Sequence, residues 1–201
     1  MDSNHHDGTL PTVDNKRIAM AMHELFNAIG LPTDGDLAAT PQRIADFYTE
    51  FFSAMHEPPP ELALYPVKDA AKETIAIREI PFYSFCSHHL LPFFGAVSVA
   101  YVPARDEVLG FSGIVRIIRY FSQQPTLQEI LASSIAQDMY RRLGGSSVYV
   151  EVRARQLCTE MRGVRTVGLE TVSSALVGGN ETWRNHAQRL FSTPSSDKFV
   201  P

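Results

Sequence analysis

Apolar positions recur at helical spacing in two stretches near the start of the chain. Ile18, Met22, Leu25, Phe26 and Ile29 share one stripe that stops at Gly30, which predicts a helix over 16–29. Thr40-Pro41 reads as an N-cap followed by a first-turn proline, and Ile44, Phe47, Tyr48, Phe51, Phe52 and Met55 predict a second helix behind it. From residue 73 the pattern changes. ETIAIREIPFY and FFGAVSVAYVP are β-branched, aromatic or apolar and end at Pro103, so they predict two strands flanking a CSHH turn. Helical spacing returns over Phe111 to Gln124 and Thr126 to Leu143, where Thr126-Leu127-Gln128-Glu129 matches a capping box and Gly144-Gly145 a stop. SSVYVEVRARQLC and GVRTVGLETVSSALVG predict a second strand pair. The sum is an α+β domain with antiparallel strands over 16–191, between a disordered lead at 1–15 and a flexible tail at 192–201.

Composition narrows the setting. At 201 residues and 44% hydrophobic the chain supports one sizeable core. The net charge is -4, and basic residues never gather in runs of five, so nucleic acid and anionic membrane are not expected partners. No apolar stretch reaches the roughly 20 residues of a membrane span, and the N-terminus carries no signal pattern, so the expected location is the cytoplasm. His5-His6 reads as solvated lead.

Two cysteines are too few for a disulfide framework, and their neighbours suggest chemistry instead. Cys86 and His89 have the C-x-x-H spacing that lets two ligands reach one ion. Strand alternation puts Val148, Val150, Val152, Ala154, Gln156 and Cys158 on one face, and Tyr149, Glu151, Arg153 and Arg155 on the other. Cys158 at the end of that face can supply a third ligand and leave zinc an open position for water. Spacing alone leaves a buried, inert cysteine equally open.

Five segments carry a family resemblance: TPQRIADFY, CSHHLLPFFGAVSVAYVP, LGFSGIVRII, LQEIL and CTEMRGVR. In this order, from about Arg17 to Leu190, they resemble the GTP cyclohydrolase I family. The resemblance implies a T-fold subunit in a toroidal homodecamer, with active sites between neighbouring subunits. It implies zinc held by Cys86, His89 and Cys158, where water is activated to attack C8 of guanine. A second hydrolysis then releases formate, and ring closure gives dihydroneopterin triphosphate. It implies proton transfer by His88, guanine binding by Glu129 with Gln128 beside it, and phosphate binding by Arg43, Ser112, Arg116 and Arg162. For Glu129, the capping box offers a purely structural alternative.

Three departures stand at functional positions. The family's histidine two residues before the second zinc cysteine is Gln156, which can hydrogen-bond but cannot exchange a proton. Two phosphate-binding lysines are Gly113 and Asp46, and the glutamate of C-E-H-H is Ser87. Losing those cations should weaken triphosphate binding by several kcal/mol. The expectation is a zinc hydrolase opening the imidazole ring of a guanine nucleotide, nucleoside or base, with altered phosphate requirement. Its reaction stops at a formamidopyrimidine or diaminopyrimidine. An ordinary GTP cyclohydrolase I and a non-catalytic zinc scaffold are the alternatives. Nitrile reductases of the same fold have no use for the CSHH metal segment.

Overall fold

The structure, a computed structural model, describes residues 13–145 and 147–192. His5-His6 and most of the expected lead and tail lie outside these residues. The chain divides between Pro58 and Pro59 into two compact units.

In the first unit, α1 (Asn15–Ile29) starts on Asp14, whose carboxylate accepts the Arg17 N–H at 3.0 Å. It ends on Gly30 at φ 73°, in the left-handed region expected of a stop glycine. α2 (Thr40–Phe51) begins one residue earlier than expected. Thr40 lies inside the helix, and Ala39 at the cap position makes no side-chain bond. The helix also stops at Phe51, short of Met55, and a 3-10 turn follows over Ser53–His56. Phe26 and Ala45 are buried where α1 and α2 pack. A polar knot ties the same pair: Asn15 Nδ2 donates to Asp46 Oδ1 (3.0 Å) and Thr49 Oγ1 (3.1 Å). Gln42 Nε2 donates to Asn15 Oδ1 (2.7 Å) and Asp46 Oδ1 (2.8 Å).

The second unit is built on a five-stranded sheet. Its strands are β2 (Ile75–Cys86), β3 (Pro92–Val102), β5 (Pro125–Thr126), β6 (Ser147–Gln156) and β7 (Glu170–Val177). The order is β5-β2-β3-β6-β7, antiparallel except where β5 runs parallel to β2. A two-stranded ribbon pairs β1 (Leu64–Pro66) with β4 (Glu107–Leu109). The helices α3 (Phe111–Ser122) and α4 (Gln128–Arg142) cover one sheet face, and Ile114, Ile117, Leu131, Ile135 and Met139 pack against Val97, Val99, Val148, Val150 and Val152.

Several expectations change in this unit. The capping box at 126–129 does not form: α4 starts at Gln128, its cap residue Leu127 makes no side-chain bond, and Thr126 sits in β5. Pairing of Cys86 with Thr126 draws that threonine into the sheet. β6 ends at Gln156, so Cys158 lies on the short helix α5 (Leu157–Glu160) rather than on the strand face. The last strand covers 170–177 only. A final helix, α6 (Glu181–Ser192), was not anticipated. Its residues Ala187 and Phe191 bury Tyr149 on the opposite sheet face, whereas Arg153 and Arg155 farther along that face of β6 are exposed.

Candidate active site

The expected metal ligands come together from three elements. Cys86 ends β2, His89 sits in the following turn, and Cys158 lies on α5; their ligand atoms are all within 4.8 Å of one another. The turn is closed by Leu90 N–H to Cys86 O (2.8 Å) and Cys86 N–H to Leu91 O (2.9 Å). Leu90 holds φ 49°, a left-handed conformation that costs an ordinary residue about 1–2 kcal/mol. Cys86 Sγ is 3.9 Å from His89 Nδ1, and the Arg162 guanidinium sits 2.6 Å from His89 Nε2, so Nδ1 is the nitrogen turned to the thiols. Burial, then the adjacent Cys86, push the Cys158 thiol up from its ordinary value. Two thiols and an imidazole at this separation fit a borderline-soft ion and leave a fourth position open.

α5 is braced by residues whose roles were not legible in the sequence. The Arg155 fork donates to the buried Glu160 carboxylate through Nε (2.9 Å) and Nη2 (2.6 Å). These bonds hold the Glu160 carboxyl below its ordinary range. Thr159 Oγ1 donates to Gln156 O at 2.9 Å, completing the join from strand to helix.

A cavity of about 210 Å³ opens beside the ligand cluster. Its lining includes Cys86, His88, Gln128, Glu129, Gln156, Cys158 and Thr171. His88 is exposed at the rim, edge-on to His89 with ring centroids 6.1 Å apart. Free of any capping role, the Glu129 carboxylate accepts, among the described residues, only a long bond, 3.4 Å, from Ser173 Oγ.

Gln128 also lines the cavity, but it is 3% exposed and its amide is spent on the protein. Nε2 donates to Val152 O (2.8 Å) and Thr171 O (3.0 Å). Oε1 accepts from Gln156 Nε2 (2.8 Å) and Thr171 Oγ1 (2.6 Å). Turning this amide round would face its oxygen at two carbonyls and strand buried polar groups, at about 1–3 kcal/mol each. One orientation is therefore strongly favoured.

A family model described as GTP cyclohydrolase I matches residues 18–194. The chain belongs to the GTP cyclohydrolase I family. The GTP cyclohydrolase 1 of Caldanaerobacter subterraneus is 40% identical over 167 residues, covering 83% of this chain and 89% of that one. The GTP cyclohydrolase 1 of Lactiplantibacillus plantarum is 43% identical over 168 residues, covering 83% and 88%. Among solved structures, an apo archaeosine synthase QueF-Like is 20% identical, covers 53% of this chain and 95% of its own, and has a TM-score of 0.40.

As a member of the GTP cyclohydrolase I family this chain is a hydrolase of the cyclic-amidine class, and its α+β architecture is the family's T-fold. The family is zinc-dependent, and the Cys86–His89–Cys158 group is one that could hold the ion. The residues expected to bind phosphate scatter. Arg162 is beside His89, whereas Ser112 and Arg116 are exposed one turn apart on α3 and do not line the cavity. Arg43 lies on α2, in the first unit. Positions 113 and 46, where the resemblance leads one to expect lysines, are differently engaged: a Cβ on the buried Gly113 would come within 2.9 Å of Leu62 Cδ2, and Asp46 is held by Gln42 and Asn15, whose bonds lower its pKa. Among the described residues no helix is long and apolar enough to cross a membrane.

Proposed function

We propose that this chain opens the imidazole ring of a guanine nucleotide, nucleoside or base at C8, with a reduced phosphate requirement, and stops at a formamidopyrimidine or diaminopyrimidine. The observation that carries the reading is the position of Gln156. It lines the same cavity as Cys86, Cys158 and Glu129, and its amide is tied to Gln128. An amide at that place holds a ring but supplies no proton for the later steps.

Cys86, His89 and Cys158 would hold the zinc. A bound zinc makes hydroxide available near neutral pH. Glu129 accepts hydrogen bonds from the N1–H and exocyclic amine of guanine, a task its loosely engaged carboxylate is free to perform. His88, exposed at the rim, is the remaining histidine that lines the cavity and moves protons there. Arg162 offers a cation for one phosphate. We place Ser112, Arg116 and Arg43 at a neighbour's cavity in a toroidal homodecamer, which accounts for the absence of Ser112 and Arg116 from their own subunit's cavity wall. Leu62 over Gly113 and the knotted Asp46 leave two cations missing from the phosphate set.

The names of the relatives favour a second reading, an ordinary GTP cyclohydrolase I that makes dihydroneopterin triphosphate. Comparing kcat/KM for guanine, guanosine, GMP, GDP and GTP separates the two. A preference for fewer phosphates supports the proposal, and a strong preference for GTP removes it.

A further inference from the structure

The carbonyl groups of Val152 and Thr171 fix which end of the Gln128 amide points where, and Gln128 in turn fixes Gln156. With Gln128 Oε1 as its partner, Gln156 must present Nε2 to it. A flipped Gln156 would set oxygen against oxygen. The Gln156 oxygen is left without a protein partner among the described residues, on a side chain that lines the cavity. We propose that Gln128, with Thr171, is a positioning residue that locks the Gln156 oxygen toward the cavity, so that this wall selects a ligand carrying an N–H at purine position 7.

The inference rests on the guanine reading above. If Glu129 holds the N1–H and amine edge and the Cys86–Cys158 side faces C8, the edge left for Gln156 carries O6 and N7. In neutral guanine both are acceptors only, and the Gln156 oxygen repels an acceptor set against it. Adding water across the C8=N7 bond puts the water oxygen on C8 and a proton on N7. The C8–N9 bond then breaks and N9 takes the second proton, with one water consumed in all. From the addition onward, N7 carries an N–H that the Gln156 oxygen can accept. The wall therefore favours the adduct and the opened formamide over the closed ring, which assists the first step and retains its product.

Two analogues that hydrolysis cannot open test this by binding alone. 9-Deazaguanosine 5′-monophosphate has an N–H at position 7; 7-deazaguanosine 5′-monophosphate has a C–H there. The zinc-loaded full-length protein should bind the first about tenfold or more tightly than the second. Gln156→Leu should bring the ratio to about one, and so should Gln128→Met, which leaves Gln156 in place but unlocked. Should Gln128→Met not fold, Gln128→Leu, which likewise removes the amide that Gln156 Nε2 donates to, is read the same way. Equal binding of both analogues by the unaltered protein overturns this inference and leaves the guanine reading standing. A preference that survives Gln128→Met overturns the locking role. Binding of neither analogue, with no turnover of any guanine compound, overturns both.

Discussion

Arg155 and Glu160 are joined by two hydrogen bonds, 2.9 and 2.6 Å, and the chain between them carries both Gln156 and Cys158. The same ion pair therefore braces a candidate metal ligand and a cavity amide. Glu160→Ala frees α5 from β6 and should weaken zinc retention about tenfold, the lower end of the effect of removing a partner that orients metal ligands. Competition with a chromogenic chelator reads this directly. Retention equal to that of the unaltered protein would show that Cys158 is held by other contacts.

The pair also gives stability a pH dependence of known sign. Arg155 holds the folded Glu160 carboxyl below its ordinary value of 4.5, so the unfolded chain takes up that proton first. The contribution is complete above the ordinary value and disappears as pH falls through the lower folded value. Thermal melts should show the unaltered protein ahead of Glu160→Gln at pH 6 and the gap closing on acidification. A gap that widens toward acid would contradict the assignment.

Adding a lysine at position 113 tests the reduced phosphate requirement. Its Cβ would lie 2.9 Å from Leu62 Cδ2, the end of a flexible side chain that can turn aside at small cost. Gly113→Lys should therefore fold and bind GTP at least about tenfold more tightly than the unaltered protein, as a charge-assisted phosphate contact requires. Isothermal titration on both proteins checks it.

Asp46 has a local task as well. Asp46→Lys removes the acceptor for Asn15 and Gln42 and should lower the unfolding temperature by a few degrees, whereas Asp46→Asn keeps an acceptor oxygen and should stay close to the unaltered protein. Differential scanning calorimetry of the two variants decides whether the knot contributes to stability.

Much of this organisation was legible in the sequence. The change from helical spacing to β-branched runs around CSHH located β2, β3 and the turn between them, and Gly30 and Gly144 marked helix ends where the structure has them. The CSHH turn and Cys158 lie together as the family resemblance implied, although Cys158 rides on a helix. The Gln128 network was not legible, because its partners Val152, Gln156 and Thr171 lie 24, 28 and 43 residues away and only strand pairing brings them in. Nor was α6 foreseen. Its signals were Asn180, which accepts the Trp183 N–H, and the stripe of Trp183, Ala187, Leu190 and Phe191. The capping box misled because four residues of matching type had a stronger use: Thr126 extends the sheet beside Cys86, and Gln128 is buried.

The central claim is that Gln156 ends the reaction before a pterin forms. The direct measurement is the mass of the product when the zinc-loaded protein is incubated with its preferred guanine compound and, separately, with GTP. The account predicts a product heavier by one water, or that product after loss of formate, and a shift toward pterin in Gln156→His. Dihydroneopterin triphosphate formed from GTP by the unaltered protein at ordinary turnover would contradict it.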